Sequence, residues 1–341
     1  MSKDIYVVVE QRDGQIAKVG LELIGEATKL AKDLEQKVVA VLLGDQIKEK
    51  AKTLIEYGAD KVLYVEDPML AEYVTEPYAK ALTTIIKEYD PEIVMFGATS
   101  IGRDLAPRVA SRVQTGLTAD CTKLDIEEYK AKADDLGQKL LFMTRPAFGG
   151  NIMATILCKN HRPQMATVRP GVMKRLEKDT ARDGEIQEVK VAFESSDMNV
   201  VIREIVKETH KKSDITEASV LVSGGRGIGS PEFFNDLKEL ADVLGGDISS
   251  SRANVDAGWA TKDRQVGQTG KTVRPDLYLA CGISGAIQHV AGMEGSDCVI
   301  AINKNDTAAI FDVADIGIVG DVKAIIPKLT EAIKKYKEAN A

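Results

Sequence analysis

Short unbroken apolar runs alternate with segments that are apolar only every three to four residues, and the alternation occurs twice. In the first series, residues 5–10, 37–43, 61–65 and 92–96 read as strands. Residues 17–34, 47–57 and 73–89 read as amphipathic helices, the last stopped by Asp90-Pro91. A strand that is apolar at every position is buried on both faces, and a βαβα order places such strands in a parallel sheet covered by helices. The rhythm restarts after residue 217, with strands at 218–222, 277–281, 298–302 and 316–319. Helices are expected at 231–244, 284–293 and 322–338. Between the two series, 140–144 and 151–157 read as strands of a more antiparallel extension, and the charged stretch 125–138 reads as a turn. The polar segment 206–215 separates the series. The expected organisation is α/β, with domains 1–207 and 208–341, each a mainly parallel sheet flanked by helices.

Composition narrows the function. Among 341 residues, 45 Lys and Arg face 52 Asp and Glu, a net charge of −7, which disfavours nucleic acid as a main partner. No apolar run approaches the roughly 18 residues of a membrane helix, so no membrane insertion is expected. The first residues, MSKDIYVVVE, enter a strand without a signal-peptide pattern, and a cytoplasmic location is expected. Cys121, Cys158, Cys281 and Cys298 form no CxxC pair and read as reduced thiols. Three histidines, His161, His210 and His289, suggest neither a metal cluster nor a catalytic triad.

The chemistry-bearing residues concentrate between 223 and 321, in loops that follow strands or open helices. The first loop, Ser223-Gly224-Gly225-Arg226-Gly227-Ile228-Gly229-Ser230, lies where open α/β sheets bind phosphates. Its glycines would let backbone N–H groups reach an anion, and Arg226 adds a fixed charge. It matches neither GxGxxG nor a P-loop. The second, Ser249 to Ala253, offers hydroxyls and Arg252. The third, Val266 to Lys271, exposes Gln268 and Thr269, whose hydroxyl could meet a heterocycle nitrogen of changing protonation. The fourth, Gly282 to His289, places Ser284 as an expected helix N-cap. Asn303 and Asp321 follow later strands. Each loop alone also reads as an ordinary turn. On these residues an NAD-dependent dehydrogenase and an adenine-nucleotide-binding module remain open.

Longer runs separate these readings. SGGRG (223–227), SSRANVDAGW (250–259), QVGQTGKTVRPDLYLACGISGAIQHVAGM (265–293), VIAINKN (299–305) and DVADIGIVGD (312–321) together resemble the alpha subunit of electron-transfer flavoproteins. So do GATSIGRDLAPRVASR (97–112), TGLTADCT (115–122) and TRPAFGGNIMA (144–154), which extends the resemblance over essentially the whole chain. It implies a prokaryotic heterodimer with a smaller beta subunit and a Rossmann-like C-terminal domain holding FAD. The implied FAD contacts are Arg226, Ser251, Arg252, Val266, Gly267, Gln268, Thr269, Ser284, Gly285, Ala286, Ile287, Gln288, His289, Asn303, Asp321 and Val322. By the same resemblance Thr269 lies near flavin N5, His289 near the O2 edge, and Arg252 over or beside the ring. Positive charge from Arg252, from a protonated His289 and from a helix N-terminus at Ser284 would favour a negatively charged reduced flavin. Single-electron exchange with acyl-CoA dehydrogenases is implied, with no catalytic acid, base or nucleophile. Electron bifurcation from NADH to ferredoxin, with a second flavin, is not distinguished by this chain. Arg103, Asp104 and Arg108 are expected to be structural or interface residues, and Arg145 could approach a cofactor or the other subunit.

Overall fold

The computed structural model describes residues 3–130, 137–147, 152–205, 214–216 and 218–339, and the chain divides into two compact units near residue 206. The linker expected at 206–215 lies outside the described residues except for Asp214 and Ile215, as do the Gly149-Gly150 pair and the Asp134-Asp135 turn.

In the first unit the chain runs β1 (Ile5–Val9), a small hairpin of β2 (Gln11–Arg12) and β3 (Gln15–Ile16), α1 (Lys18–Leu34), β4 (Val38–Gly44) and α2 (Ala51–Glu56). It continues through β5 (Lys61–Glu66), α3 (Thr75–Tyr89), β6 (Ile93–Gly97), α4 (Ser100–Arg112) and β7 (Leu117–Cys121). Strands β8 (Lys123–Tyr129), β9 (Gln138–Ala147), β10 (Ile152–Ile156), β11 (Gln164–Val168) and β12 (Glu185–Glu188) complete it. Seven strands form a parallel sheet in the order β12-β5-β4-β1-β6-β11-β7. All seven residues of β4 are buried, because α1 and α2 cover one face and α3 and α4 the other. Helix α3 stops where Asp90 turns left-handed at φ 47°, immediately before Pro91.

Two expectations for this unit change. Asp125, Glu127 and Glu128, expected in a turn, lie within strand β8, which pairs antiparallel with β9. The cross-strand ladder tolerates the charges because one face of β8 meets solvent. Strands β11 and β12 had no sequence signature. Strand β11 is completely buried although it carries Gln164 and Thr167. Gln164 accepts from Leu141 N at 2.9 Å and donates to Glu92, and Thr167 Oγ1 accepts from Asp120 N at 2.8 Å.

The second unit runs β13 (Val220–Gly224), α5 (Phe234–Leu244), β14 (Asp247–Ser250), α6 (Arg252–Asp256), β15 (Leu277–Cys281), α7 (Ile287–Val290), β16 (Val299–Asn303), β17 (Ile316–Val319) and α8 (Val322–Ala339). Its parallel sheet has the order β14-β13-β15-β16-β17. Numbered within the unit this is 2-1-3-4-5, the other common doubly wound order, rather than the 3-2-1-4-5-6 of the Rossmann dinucleotide fold. Helices α5 and α8 bury Leu237, Leu240 and Ile326 against Val222, Leu279 and Ile302 on one face. Each such fully buried aliphatic side chain contributes about 1.5–3 kcal/mol. Segments with little regular structure cover the other face, setting Val266, Val273, Ile283, Met293 and Ile310 against Tyr278.

That order puts the site where it is. From β13 the chain crosses to β14 on one side, whereas β15 leads to β16 on the other. The loops leaving the adjacent strands β13 and β15 therefore diverge, and a crevice opens at their carboxyl ends.

Candidate functional site

A cleft of about 840 Å³ occupies this switch point. Its size suits a cofactor. Fourteen of the sixteen residues singled out in the sequence line it: Arg226, Ser251, Arg252, Val266, Gly267, Gln268, Thr269, Ser284, Ala286, Gln288, His289, Asn303, Asp321 and Val322. Gly285 and Ile287 do not. Gly285 is buried at φ +87°, where a Cβ would stand 2.1 Å from Ile310 N. Ile287 is half exposed and absent from the cleft wall.

The glycine loop after β13 does a different job from the one expected. Gly225 N donates to Cys281 O at 2.8 Å, and Gly227 N donates to Gly282 O at 2.9 Å. Their N–H groups are thus committed to the neighbouring loop. A Cβ on Gly225 would lie 2.3 Å from Gly282 O, so a side chain here would separate the two loops. Arg226 follows on the exposed rim, the first residue of a short 3-10 turn.

Ser249 and Ser250, expected in a solvated loop, are the fully buried end of strand β14. Ser251 then begins the turn into α6, and its Oγ is buried without a hydrogen-bond partner. Arg252 projects outward, 66% exposed, and meets Asp256 at 3.3 Å.

The third loop is closed by a parallel bridge between Val266 and Lys271. Lys271 N donates to Gln265 O at 2.7 Å and Gly267 N to Lys271 O at 3.1 Å. Gln268 N is tied to Gln288 O at 2.7 Å. On this frame, buried Gln265 donates from Nε2 to the exposed Thr269 Oγ1 at 2.9 Å. A hydroxyl that accepts this bond keeps its own proton for a ligand acceptor.

The expected helix at 284–293 is only the single turn α7, capped by Ala286 without a side-chain bond, so Ser284 is not an N-cap. Gly285, packed against Ile310, holds the preceding residues extended instead. The N–H groups of Ser284, Gly285 and Ala286 donate to no acceptor among the described residues. Those of Ser284 and Ala286, which line the cleft, can receive an anion without the dipole of a long helix.

His289 lies on α7, 6% exposed, with Nε2 2.9 Å from the hydroxyl oxygen of Tyr278. Burial pushes its pKa down to about 4, against a smaller opposing effect of the Val266 backbone. The imidazole is neutral at pH 7, so the charge that His289 would supply if protonated is absent there. Its Nδ1 has no hydrogen-bond partner. Asn303 donates to Ile283 O at 2.9 Å, and Asp321 Oδ1 accepts from Lys323 N at 2.9 Å. Both side chains brace the loops they end as well as lining the cleft.

Sequence reasoning missed part of the wall, notably Gln265, Lys304, Asn305, Thr307 and Ala308. The turn-forming run NKNDT immediately after β16 was the available signal, since Asn303 and Asn305 each accept from a backbone N–H two residues on.

Neither open alternative gains support from the geometry. An NAD site needs an acid for the ribose about 20 residues past the glycine loop; Asp247, at that distance, stands at the amino end of β14, away from the carboxyl-end crevice, and pairs with Arg264 at 2.5 Å. In the first unit the cavity at the carboxyl ends of β1 and β6 measures about 30 Å³, narrowed by Tyr73, Tyr78 and Phe96. That is room for about one water molecule rather than a nucleotide. Asp120 of this unit is held below the usual carboxylate range by Arg169, which bonds it at 2.7 Å, and by Arg103. Arg145, on β9, has a buried Nε with no partner. Asp104 accepts from Tyr73 and Thr75, each at 2.6 Å, and Arg108 pairs with Glu76 at 3.2 Å. These bonds give Asp104 and Arg108 structural roles. Among the described residues no cluster of His, Cys, Asp or Glu could hold a metal ion, and no helix is long and apolar enough to cross a membrane.

Comparison with known proteins adds an independent line. Residues 5–194 match the electron transfer flavoprotein domain, and residues 214–294 match the electron transfer flavoprotein FAD-binding domain. The chain is 56% identical to the electron transfer flavoprotein subunit alpha of Thermoanaerobacterium thermosaccharolyticum, covering 98% of this chain and 99% of the relative. The same subunit of Clostridium acetobutylicum is 51% identical, with 97% of each chain covered. A protein of Anaerotignum propionicum named acryloyl-CoA reductase electron transfer subunit beta is 47% identical, covering 99% of this chain and 97% of the relative.

The cleft's chemistry suits FAD. Two buried polar atoms without partners, Ser251 Oγ and His289 Nδ1, belong to residues that line it, and they stand alongside the free N–H groups of Ser284 and Ala286 and the rim cation Arg226. With two family domains and full-length similarity beside that geometry, the chain belongs to the electron transfer flavoprotein family as an alpha-type, FAD-binding electron-transfer subunit.

Proposed function

We propose that FAD binds in the switch-point cleft of the second unit, and that the chain works in a heterodimer with a beta subunit, exchanging electrons with acyl-CoA dehydrogenase-type enzymes. The observation that carries the site is the pair of orphaned buried atoms, Ser251 Oγ and His289 Nδ1, on residues lining one cleft. Buried polar atoms are rarely left unpaired in a native state, so each calls for a ligand partner. FAD, when bound, supplies reversible electron carriage.

The chain's own residues hold and orient it. The free N–H groups of Ser284 and Ala286 and the Arg226 guanidinium offer donors to phosphate oxygens. Thr269, oriented by Gln265, presents a hydroxyl proton to a heterocycle acceptor. Neutral His289 contributes a directional hydrogen bond in place of a full charge. Fixed positive charges lining the cleft include Arg226, Lys304 and Arg252, the last moderated by Asp256.

The acyl-CoA dehydrogenase-type partner is supported by the name of the Anaerotignum relative, an electron transfer subunit of acryloyl-CoA reductase. The test is to mix the co-produced heterodimer with such a dehydrogenase and its acyl-CoA under anaerobic conditions and follow flavin absorbance. Bleaching that requires both the dehydrogenase and the thioester is expected, and its absence overturns the partner assignment. One FAD per heterodimer fits a simple carrier. A bifurcating complex drawing on NADH and reducing ferredoxin needs a second flavin, so a count of two replaces the simple-carrier reading.

A further inference from the structure

Tyr278 is outside the cleft wall yet touches it through one bond. It is fully buried at 0% exposure as the second residue of β15, and its hydroxyl meets His289 Nε2 at 2.9 Å. A neutral imidazole has one donor and one acceptor nitrogen, and the bond made by one nitrogen decides the role of the other. The surroundings fix the direction here. Ser223 and Ser249 bring buried hydroxyls toward the phenol oxygen, at long range for a formed bond, and neither has another hydrogen-bond partner. Each relieves its burial cost by donating to that oxygen, which leaves the phenol proton for Nε2.

We propose that Tyr278 is a positioning residue: its O–H donates to His289 Nε2 and locks the neutral ring with its proton on Nδ1, aimed as a donor at an acceptor atom of the ligand in the cleft. This rests on the reading that the cleft holds FAD, whose heterocycle carries carbonyl-type acceptors. The hydroxyl of Tyr278 thereby sets the chemical identity of a cleft group it does not itself join. Its own pKa is raised by burial, so it remains a donor throughout the neutral range.

The test uses the full chain with its partner subunit, labelled with [15N]histidine. The chain has only three histidines, and His289→Gln assigns the signal. At pH 7 the wild-type ring is expected neutral with the proton on Nδ1, both without FAD and loaded. Tyr278→Phe is expected to populate the other tautomer and raise the FAD Kd roughly three- to tenfold, the effect of one lost hydrogen bond. A wild-type ring protonated on Nε2, or on both nitrogens, overturns the proposal even if Tyr278→Phe fails to fold. An unchanged tautomer and Kd in a folded Tyr278→Phe complex overturn it as well. Failure of the wild-type complex to take up FAD instead refutes the cofactor assignment beneath it.

Discussion

Gln265 Nε2 donates to Thr269 Oγ1 across 2.9 Å, from a buried amide to an exposed hydroxyl. The bond uses one of the hydroxyl's two acceptor sites and leaves its proton free to donate to a ligand in the cleft. Thr269→Ala is therefore expected to shift the flavin midpoint potential while leaving the Tm of the FAD-free protein unchanged, because Thr269 is exposed and fills no core. Gln265→Met keeps the side-chain bulk but frees the hydroxyl to rotate, and should shift the potential by less. Spectroelectrochemical titration of both variants checks the order, and a large loss of apo-protein stability in Thr269→Ala would mark that residue as structural.

His289 has a second measurable consequence. Its pKa falls from the ordinary 6.5 to about 4 on folding. Between these values the unfolded chain carries a proton that the folded chain lacks, so stability rises with pH across that window. The contribution is fully present above about pH 6.5 and is lost as pH drops toward 4, reaching roughly 3 kcal/mol. Denaturation curves at stepped pH should therefore fall less steeply over that window for His289→Gln than for the wild type. Parallel curves would mean that the ring is not buried neutral.

The apolar pattern revealed those elements whose burial is uniform. Strands β1 and β4 are enclosed on both faces and read as unbroken apolar runs. Strand β11 is equally buried, but Gln164 and Thr167 satisfy partners on β9 and β7, so its sequence QMATV carries no apolar signature. Strand β12, the exposed edge, is half glutamate. In the site, residue types indicated phosphate-binding loops and the family resemblance implied the flavin contacts, yet neither could show where each N–H goes. Gly225 and Gly227 look like anion-binding residues until their donors are found on Cys281 and Gly282. The neutrality of His289 depends on its burial beside Tyr278, which spacing along the chain does not encode.

That distinction between loop packing and ligand contact can be tested directly. Gly225→Ala forces a Cβ to within 2.3 Å of Gly282 O and is expected to cost about 1–3 kcal/mol of stability as well as FAD affinity. Arg226→Ala removes an exposed charge and should weaken FAD binding with no change in Tm. Calorimetry paired with FAD titration separates the two effects. Equal Tm values for both variants would show that the glycine is not required by packing.

Arg252 is largely exposed and its pairing with Asp256 is a surface one, so it adds little to stability. Arg252→Ala should leave Tm unchanged while lowering the flavin potential by on the order of tens of millivolts, since one-electron potentials move by about 43 mV per kcal/mol. Potentials measured at low and high salt provide the check: the difference between wild type and variant should shrink as salt screens the charge. A difference that is absent at low salt would remove Arg252 from the electrostatic environment of the flavin.

The central claim is that FAD occupies the cleft between the loops after β13 and β15. Ala286 lines that cleft and is exposed, so Ala286→Trp fills it without disturbing a core. The decisive measurement is the flavin content of the co-purified heterodimer, by absorption spectrum and protein assay, for wild type and Ala286→Trp. The expected result is a flavin spectrum in the wild type and the loss of one FAD per heterodimer in a variant of unchanged Tm. An Ala286→Trp complex that keeps its full flavin complement would place the cofactor elsewhere and contradict the assignment.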